Sequence, residues 1–280
     1  MKATIIIHQG WADLFSNNGL LNYYADIYDE LIIFIIDNNR KKLLEAVFKN
    51  NNKIKIEMPQ ITNNYNGIDT CLNCMTLGNS NCCPRDNHIL CKYIDYNYYF
   101  NNYENIKIGA FNNYNLWHIF KTNKYLENIS FSHCFYLYNN IDIYHRINNF
   151  KIHQNLEIEN NNYNNYINLI NKIGDKYIVV HEDNDRGFII SNNLNNNKNN
   201  YNNLPIYNLD KKSIIMIDQI SIIENTEELH LIDSSYSVLI YYLCLNNIKL
   251  KNKKIYLYSV NQNRDLFIYK NPTYDNWIFV

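Results

Sequence analysis

Tyr177-Ile-Val-Val-His-Glu-Asp-Asn-Asp-Arg-Gly187 and Glu228-Leu-His-Leu-Ile-Asp-Ser-Ser235 decide the fold. Each is a short run of apolar and β-branched residues that stops abruptly in polar groups. The first ends in His181, Glu182, Asp183, Asp185 and Arg186, the second in Asp233, Ser234 and Ser235. An unbroken apolar run of this length suits a parallel strand buried on both faces, and in open α/β sheets ligands bind just beyond the carboxyl ends of the strands. The second run passes straight into a helix-like segment at 236–245. Two such ends in one half of the chain would share a pocket in which an arginine and a helix N-terminus face an anion. That is the chemistry of holding a diphosphate.

Outward from these runs, residues 4–8 predict a first strand, 10–13 a turn, and 14–28 a helix with Leu14, Leu20, Leu21, Tyr24 and Ile27 at helical spacing. Residues 30–36 predict a second strand, 40–49 a helix and 53–57 a third strand. This alternation implies a parallel sheet with right-handed crossovers. A polar, cysteine-containing insertion at about 62–91 follows, then a strand at 106–109 and helices at 116–124, 131–137 and 141–146. In the second half, 160–171 predict a helix, 177–181 a strand and 194–203 an Asn-rich loop. Strands at 213–217 and 229–232, a helix at 235–245 and a final strand at 254–258 complete the chain. The expected organisation is α/β, with two Rossmann-like domains at residues 1–155 and 156–280.

Composition narrows the function classes. The 280 residues are 46% apolar, enough for a sizeable core, and suffice for one large domain or two of about 130–150 residues each. Asn, Ile, Tyr and Lys are in excess while Gly and Pro number only 7 and 4, the signature of AT-rich codons. Any single Asn is therefore read as codon bias first. A net charge of −1 without blocks of like charge argues against a nucleic-acid footprint or a basic membrane surface. The opening apolar run is too short for a signal-peptide core, and no run approaches the roughly 20 residues of a membrane helix. The expectation is a soluble, cytoplasmic protein. Walker loops, Gly-x-Ser-x-Gly elbows and His-Glu-x-x-His motifs are absent from the sequence, so NTPase, serine hydrolase and zincin readings have no support.

Five of the 7 cysteines lie between Cys71 and Cys91. Cys71 and Cys74 supply half of a zinc site, and Cys82 or Cys83 with His88 or Cys91 would supply the rest, Cys83 with Cys91 being the expected pair, although the second half lacks a Cys-x-x-Cys spacing. The competing reading is a set of reduced thiols in an irregular surface insertion.

His8-Gln-Gly-Trp-Ala-Asp13 with Asn18-Gly-Leu20, then His181-Glu-Asp183 with Arg186-Gly187, then Ile232-Asp-Ser-Ser-Tyr-Ser237 span most of the chain. In this order they resemble the GT-B glycosyltransferases, in which two Rossmann-like domains face one another across a cleft. More narrowly, the chain is similar to sugar transferases related to the heptosyltransferases and found in bacteria and large DNA viruses. The resemblance implies transfer of a sugar from a nucleotide-diphosphate sugar, held by the C-terminal domain, to a glycan or other hydroxyl acceptor held by the N-terminal one. An arginine and a helix N-terminus for the leaving diphosphate make a metal or cofactor unnecessary, and with no carboxylate pair identifiable for a covalent intermediate the expectation is direct displacement with inversion at the sugar carbon. The chain departs from the pattern in having Gly10 and Gly19 but no dense glycine run, and in its cysteine insertion.

Individual residues have competing readings. Arg186 is shaped to fork onto phosphate oxygens, with Gly187 letting the backbone pass close to a ligand, or it is a surface arginine paired with Asp183 or Asp185. Asp233, Ser234 and Ser235 cap a helix, bind a diphosphate, or do both. The resemblance places the loop of His8, Gly10 and Asp13 on the acceptor side, making Asp13 the candidate general base and His8 the alternative; otherwise Asp13 caps a helix beginning near Leu14. His181 and Glu182 hold the ribose or the sugar, or are satisfied within their own loop. Asp183-Asn-Asp185 has the form of a metal–diphosphate motif, but the following Arg-Gly fits an arginine-based site better. The rival from another class is a non-catalytic protein that keeps the fold for binding or assembly.

Overall fold

The structure, a computed structural model, describes residues 1–6, 11–35, 38–58, 104–107, 131–170, 176–183, 187–191, 194, 204–209, 215–258 and 276–280. The cysteine insertion and the helix expected at 116–124 lie outside these residues. The chain divides into two compact units, Met1–His153 and Gln154–Val280.

The first unit contains β1 (Lys2–Ile6), α1 (Trp11–Ser16), α2 (Asn18–Ile27), β2 (Glu30–Phe34), α3 (Asn38–Val47), β3 (Ile54–Glu57), β4 (Glu104–Lys107), α4 (Phe131–Tyr138) and α5 (His145–Asn148). Its strands pair in parallel in the order β3-β2-β1-β4. Ala3, Thr4 and Ile5 are all buried, as are Leu31, Ile32, Ile33 and Phe34, so consecutive side chains are covered on both faces of the sheet.

The single helix expected at 14–28 is two helices, α1 and α2, broken at Asn17. The Tyr136 hydroxyl of α4 donates to the Ser16 carbonyl (2.9 Å) and accepts from the Leu20 amide (3.0 Å). A regular helix would join those two groups to each other. A side chain inserted into the helical ladder is a sufficient cause of the break, and the apolar spacing, which continues through it, carries no trace of it. Residues 141–144, expected as helix, form an irregular turn, and the helix is confined to His145–Asn148.

Helix α5 packs against α2 at Gly19. A Cβ added there would lie 2.2 Å from the His145 carbonyl oxygen and 2.9 Å from the Arg146 Cα. Beside it the Asn18 side chain pairs with the backbone of Lys151, donating to its carbonyl (2.9 Å) and accepting from its amide (2.8 Å). The Asn22 amide donates to Asn18 Oδ1 at 3.1 Å.

The second unit contains α6 (Leu156–Ile170), β5 (Ile178–His181), β6 (Ile206–Asn208), a 3₁₀ turn (Met216–Gln219), α7 (Ile220–Asn225), β7 (Glu228–Ile232), α8 (Ser235–Asn246), α9 (Ile248–Lys251), β8 (Lys254–Tyr258) and β9 (Trp277–Phe279). All its pairings are parallel, in the order β6-β5-β7-β8-β9. One face is packed by Ile178, Val180, Ile190, Leu194 and Ile232 with Phe188, Leu204, Ile206 and Tyr258 against them. Strand alternation puts Val179, His181, Leu229 and Leu231 on the other face.

The strand expected at 213–217 is not one in its described part. Ile215 is extended, and the Asp218 amide returns to the Ile215 carbonyl (2.9 Å) to close the 3₁₀ turn. A short apolar run does not by itself distinguish a buried strand from a buried helical turn. Two edge strands went unexpected because each is only three residues long. β6 follows Pro205, which contributes a carbonyl to the Ile178 amide (2.9 Å) and has no N–H to give, as suits an edge. β9 is pinned by Asn276, whose side chain donates to the Leu250 and Lys253 carbonyls at 3.0 and 2.7 Å.

Gly19→Ala drives a methyl group into the α5 backbone. It should cost about 1–3 kcal/mol, the range for overpacking a close contact. Urea denaturation measures it, and an unchanged midpoint would mean that α5 moves away without cost.

Candidate functional site

In the second unit β5 and β7 are direct neighbours, in register from Ile178 opposite Glu228 to His181 opposite Leu231. The chain leaves β5 for the edge strand β6 on one side and leaves β7 for β8 on the other. The carboxyl ends of β5 and β7 therefore flank the point where the strand order reverses, the place where open α/β sheets leave a crevice for ligands.

The two polar strand ends meet there. Ser234 Oγ lies 2.9 Å from His181 Nδ1. Ser234 is the N-cap of α8: its hydroxyl accepts from the Tyr236 amide (3.2 Å) and from the Ser237 amide, while its own amide donates to Ser237 Oγ (3.0 Å). A hydroxyl has two acceptor lone pairs and one proton to donate. Two amides fill the lone pairs, so the proton points to His181 Nδ1, and His181 is the neutral tautomer with its hydrogen on Nε2. This capping box takes the amides of Ser234, Tyr236 and Ser237. An anion at this helix end meets the Ser235 amide, and must compete with the Ser234 hydroxyl for the Tyr236 and Ser237 amides and with the Ser237 hydroxyl for the Ser234 amide.

Behind the histidine, Tyr236, Gln219 and the half-buried Tyr207 form a connected set. The His181 and Tyr236 rings are 4.6 Å apart, inclined at 45°. The Tyr236 hydroxyl accepts from Gln219 Nε2 (2.7 Å), and Gln219 Oε1 accepts from the Tyr207 hydroxyl (3.1 Å). Gln219 and Tyr236 are buried. Sequence reasoning missed Gln219, Tyr207 and Tyr236 as parts of the site. No motif marks Gln219 or Tyr207, and Tyr236 reads as helix core; Ser237 sits at the fourth position of a capping-box pattern that ordinarily carries Glu or Gln.

The other expected residues divide. Glu182 serves its own loop: one carboxylate oxygen accepts from the Ile190 and Ser191 amides, each at 3.0 Å, and the other from Ser191 Oγ at 3.1 Å. These bonds fit the reading in which Glu182 is satisfied within its own loop. Asp183 and Phe188 exchange backbone hydrogen bonds of 2.9 Å, closing a tight loop. Gly187 in that loop has φ +76°, while a Cβ there would meet nothing within 4 Å. The left-handed backbone there favours glycine, and no protein atom crowds it. Asp233 is buried, and its amide donates to the Tyr258 carbonyl (3.2 Å), tying the strand end to β8. Ser235 is the first residue of α8.

In the first unit Asp13 is not the cap of a helix beginning near Leu14. It is the third residue of α1, which starts at Trp11, and lies in the first turn, where a carboxylate is favoured by the helix dipole. His8, Gly10, Asp185 and Arg186 lie outside the described residues, as do Cys71, Cys74, Cys83 and Cys91. Among the described residues no group of three or more His, Cys, Asp or Glu is placed to hold a metal ion, and no helix is long and apolar enough to cross a membrane.

No protein-family model matches the chain, and no curated protein does. Among solved structures it is similar to a glycosyl transferase family 9 protein from Veillonella parvula DSM 2008. The TM-score is 0.48 and the identity 7%, over 100% of this chain and 86% of that one.

Glu182→Ala removes the acceptor of two amides and a hydroxyl. It should lower stability by about 1–3 kcal/mol, the cost of leaving buried donors unmatched. Chemical denaturation reads this; an unaltered stability would free Glu182 for a ligand role after all.

Proposed function

We propose that the chain is a glycosyltransferase of the GT-B type that binds a nucleotide-diphosphate sugar in the second unit. The observation that carries this reading is the meeting of His181 and the α8 N-terminus at the strand switch point. The quoted motifs support it by their order along the chain. In this reading the acceptor, a glycan or other hydroxyl compound, is held by the first unit across a cleft, and Asp13 takes the proton of the attacking hydroxyl. The hydroxyl oxygen bonds to the sugar carbon as the bond to the diphosphate oxygen breaks, with inversion. Arg186 and the α8 N-terminus stabilise the charge gathering on the leaving diphosphate, with no obligatory metal. His181 keeps the Ser234 hydroxyl in place, and that hydroxyl is the group a phosphate oxygen must displace or share.

The capping box also favours a second reading, a non-catalytic binding protein, because it satisfies three of the amides a diphosphate would use. Binding and turnover separate the two. A nucleoside diphosphate at about 100 times its dissociation constant should stabilise the protein by about 2.7 kcal/mol without added divalent metal. Arg186→Ala should weaken that binding by about 1.5–3 kcal/mol, the scale of a charge-assisted hydrogen bond. Stabilisation seen only with Mg²⁺ or Mn²⁺ would point instead to Asp183 and Asp185. Binding without turnover of any nucleotide sugar would favour the second reading.

Asp13→Asn should keep donor affinity and slow turnover by about 10²–10⁴, as for a lost general base. Removing a carboxylate from the first turn of α1 should cost only about 0.3–1 kcal/mol of stability. Turnover near the wild-type rate would move the base elsewhere, with His8 next to be tested.

A further inference from the structure

Away from the switch point, helix α6 buries a carboxyl group against two others. Glu159 is 1% exposed; Oε2 accepts from Ser221 Oγ of α7 at 3.2 Å, and Oε1 is enclosed without a hydrogen-bond partner. Asp218, buried on the 3₁₀ turn, and Glu224 of α7 raise its proton affinity electrostatically. Lys249 of α9 is the cation of this cluster, and its Nζ stands 4.0 Å from Glu224, whose carboxylate also accepts from the Asn247 side chain. Glu157, also on α6, is exposed. Burial first, then the neighbouring carboxylates, push the Glu159 carboxyl up to about 7, against the lowering effect of the Ser221 bond. Burial raises Asp218 as well.

The 3₁₀ turn that faces this carboxyl also reaches the switch point. Asn162 of α6 donates to the Asp218 carbonyl (3.1 Å), fastening the helix to the turn. The next residue, Gln219, joins the Tyr207 and Tyr236 hydroxyls, and Tyr236 lies against His181, the partner of the Ser234 cap. The path from Glu159 to the α8 N-terminus thus runs through buried and part-buried contacts. Loss of the Glu159 proton would put an ion in an enclosed space under the field of two other carboxylates, and separation of α6 from the turn relieves this by admitting water.

We propose that Glu159 is a proton-operated latch: protonated, it lets α6 close on the 216–219 turn, so that Gln219 holds the Tyr236–His181–Ser234 arrangement, and deprotonated, it loosens that arrangement. The latch is independent of the ligand the site takes. The unfolded chain releases this proton near the ordinary 4.5, the folded chain near 7. Between those values the folded state binds more protons, so rising pH disfavours folding; above about 7 the carboxyl is charged in both states and the dependence on this group ends.

The test compares wild type with Glu159→Gln, which keeps the shape and an acceptor for Ser221 without a charge. Urea midpoints and hydrogen exchange of the Tyr236 and Ser237 amides are followed from about pH 5 to 8, the exchange corrected for its intrinsic pH dependence. In wild type the midpoint should fall toward pH 7 and then level, and protection of the two amides should drop at least about tenfold, the factor carried by one unit of pH in a linked equilibrium. Protection of the Leu257 amide in β8 should drop less. Glu159→Gln should show neither fall. Coincident profiles for the two proteins overturn the latch. Equal loss of protection at Leu257 overturns the coupling, since exchange would then report global unfolding. If Glu159→Gln fails to fold, direct ¹³C NMR titration of the wild-type carboxyl decides, and an ordinary carboxylate value overturns the proposal.

Discussion

Parallel pairing of β5 with β7 is the constraint on which the second unit depends. Because the strands run the same way, both polar ends emerge on one edge of the sheet. Because β6 and β8 lie on opposite sides of the pair, the chain departs in opposite directions and leaves that edge uncovered by its own crossovers. His181 and Ser234, 53 residues apart, become hydrogen-bond partners for this reason alone. The register is fixed by burial on both faces: a slip of one residue would turn Val180 and His181 to the wrong sides.

At this edge structural and ligand roles compete for the same atoms. The Ser234 hydroxyl satisfies amides of α8 and at the same time fixes the tautomer of His181. Its bonds stabilise the helix end, so a bound anion gains only the difference between its own hydrogen bonds and those it displaces. The buried Gln219 and tyrosine groups behind His181 hold the ring whichever partner Ser234 takes.

The strands that carry the site were legible because a buried parallel strand leaves an unmistakable apolar run, as in 177–181 and 229–232. Segments whose state depends on distant contacts were not. The run at 214–217 is as apolar as a strand, yet its hydrogen bonds close locally at Asp218. Glu182 looked like a ligand group from its place at a strand end, and only coordinates reveal that three donors of its own loop surround it. Asn18, indistinguishable in sequence from dozens of codon-driven asparagines, pairs with both backbone groups of Lys151. Asp13 was placed one turn too early in its helix because the start at Trp11 carries no capping signature.

The Tyr136 hydroxyl that divides α1 from α2 has a consequence for how the chain acquires its shape. Its partners Ser16 and Leu20 precede it by 120 and 116 residues, and Asn18 awaits a backbone 133 positions downstream. Until those later residues have been synthesised, nothing holds the bend at Asn17, and residues 11–27 are free to form one straight helix. The native break between α1 and α2 is therefore a late event in translation, set by non-local closure whose entropic cost slows folding. A fragment that stops short of Tyr136 would lack the hydroxyl that separates the Ser16 carbonyl from the Leu20 amide.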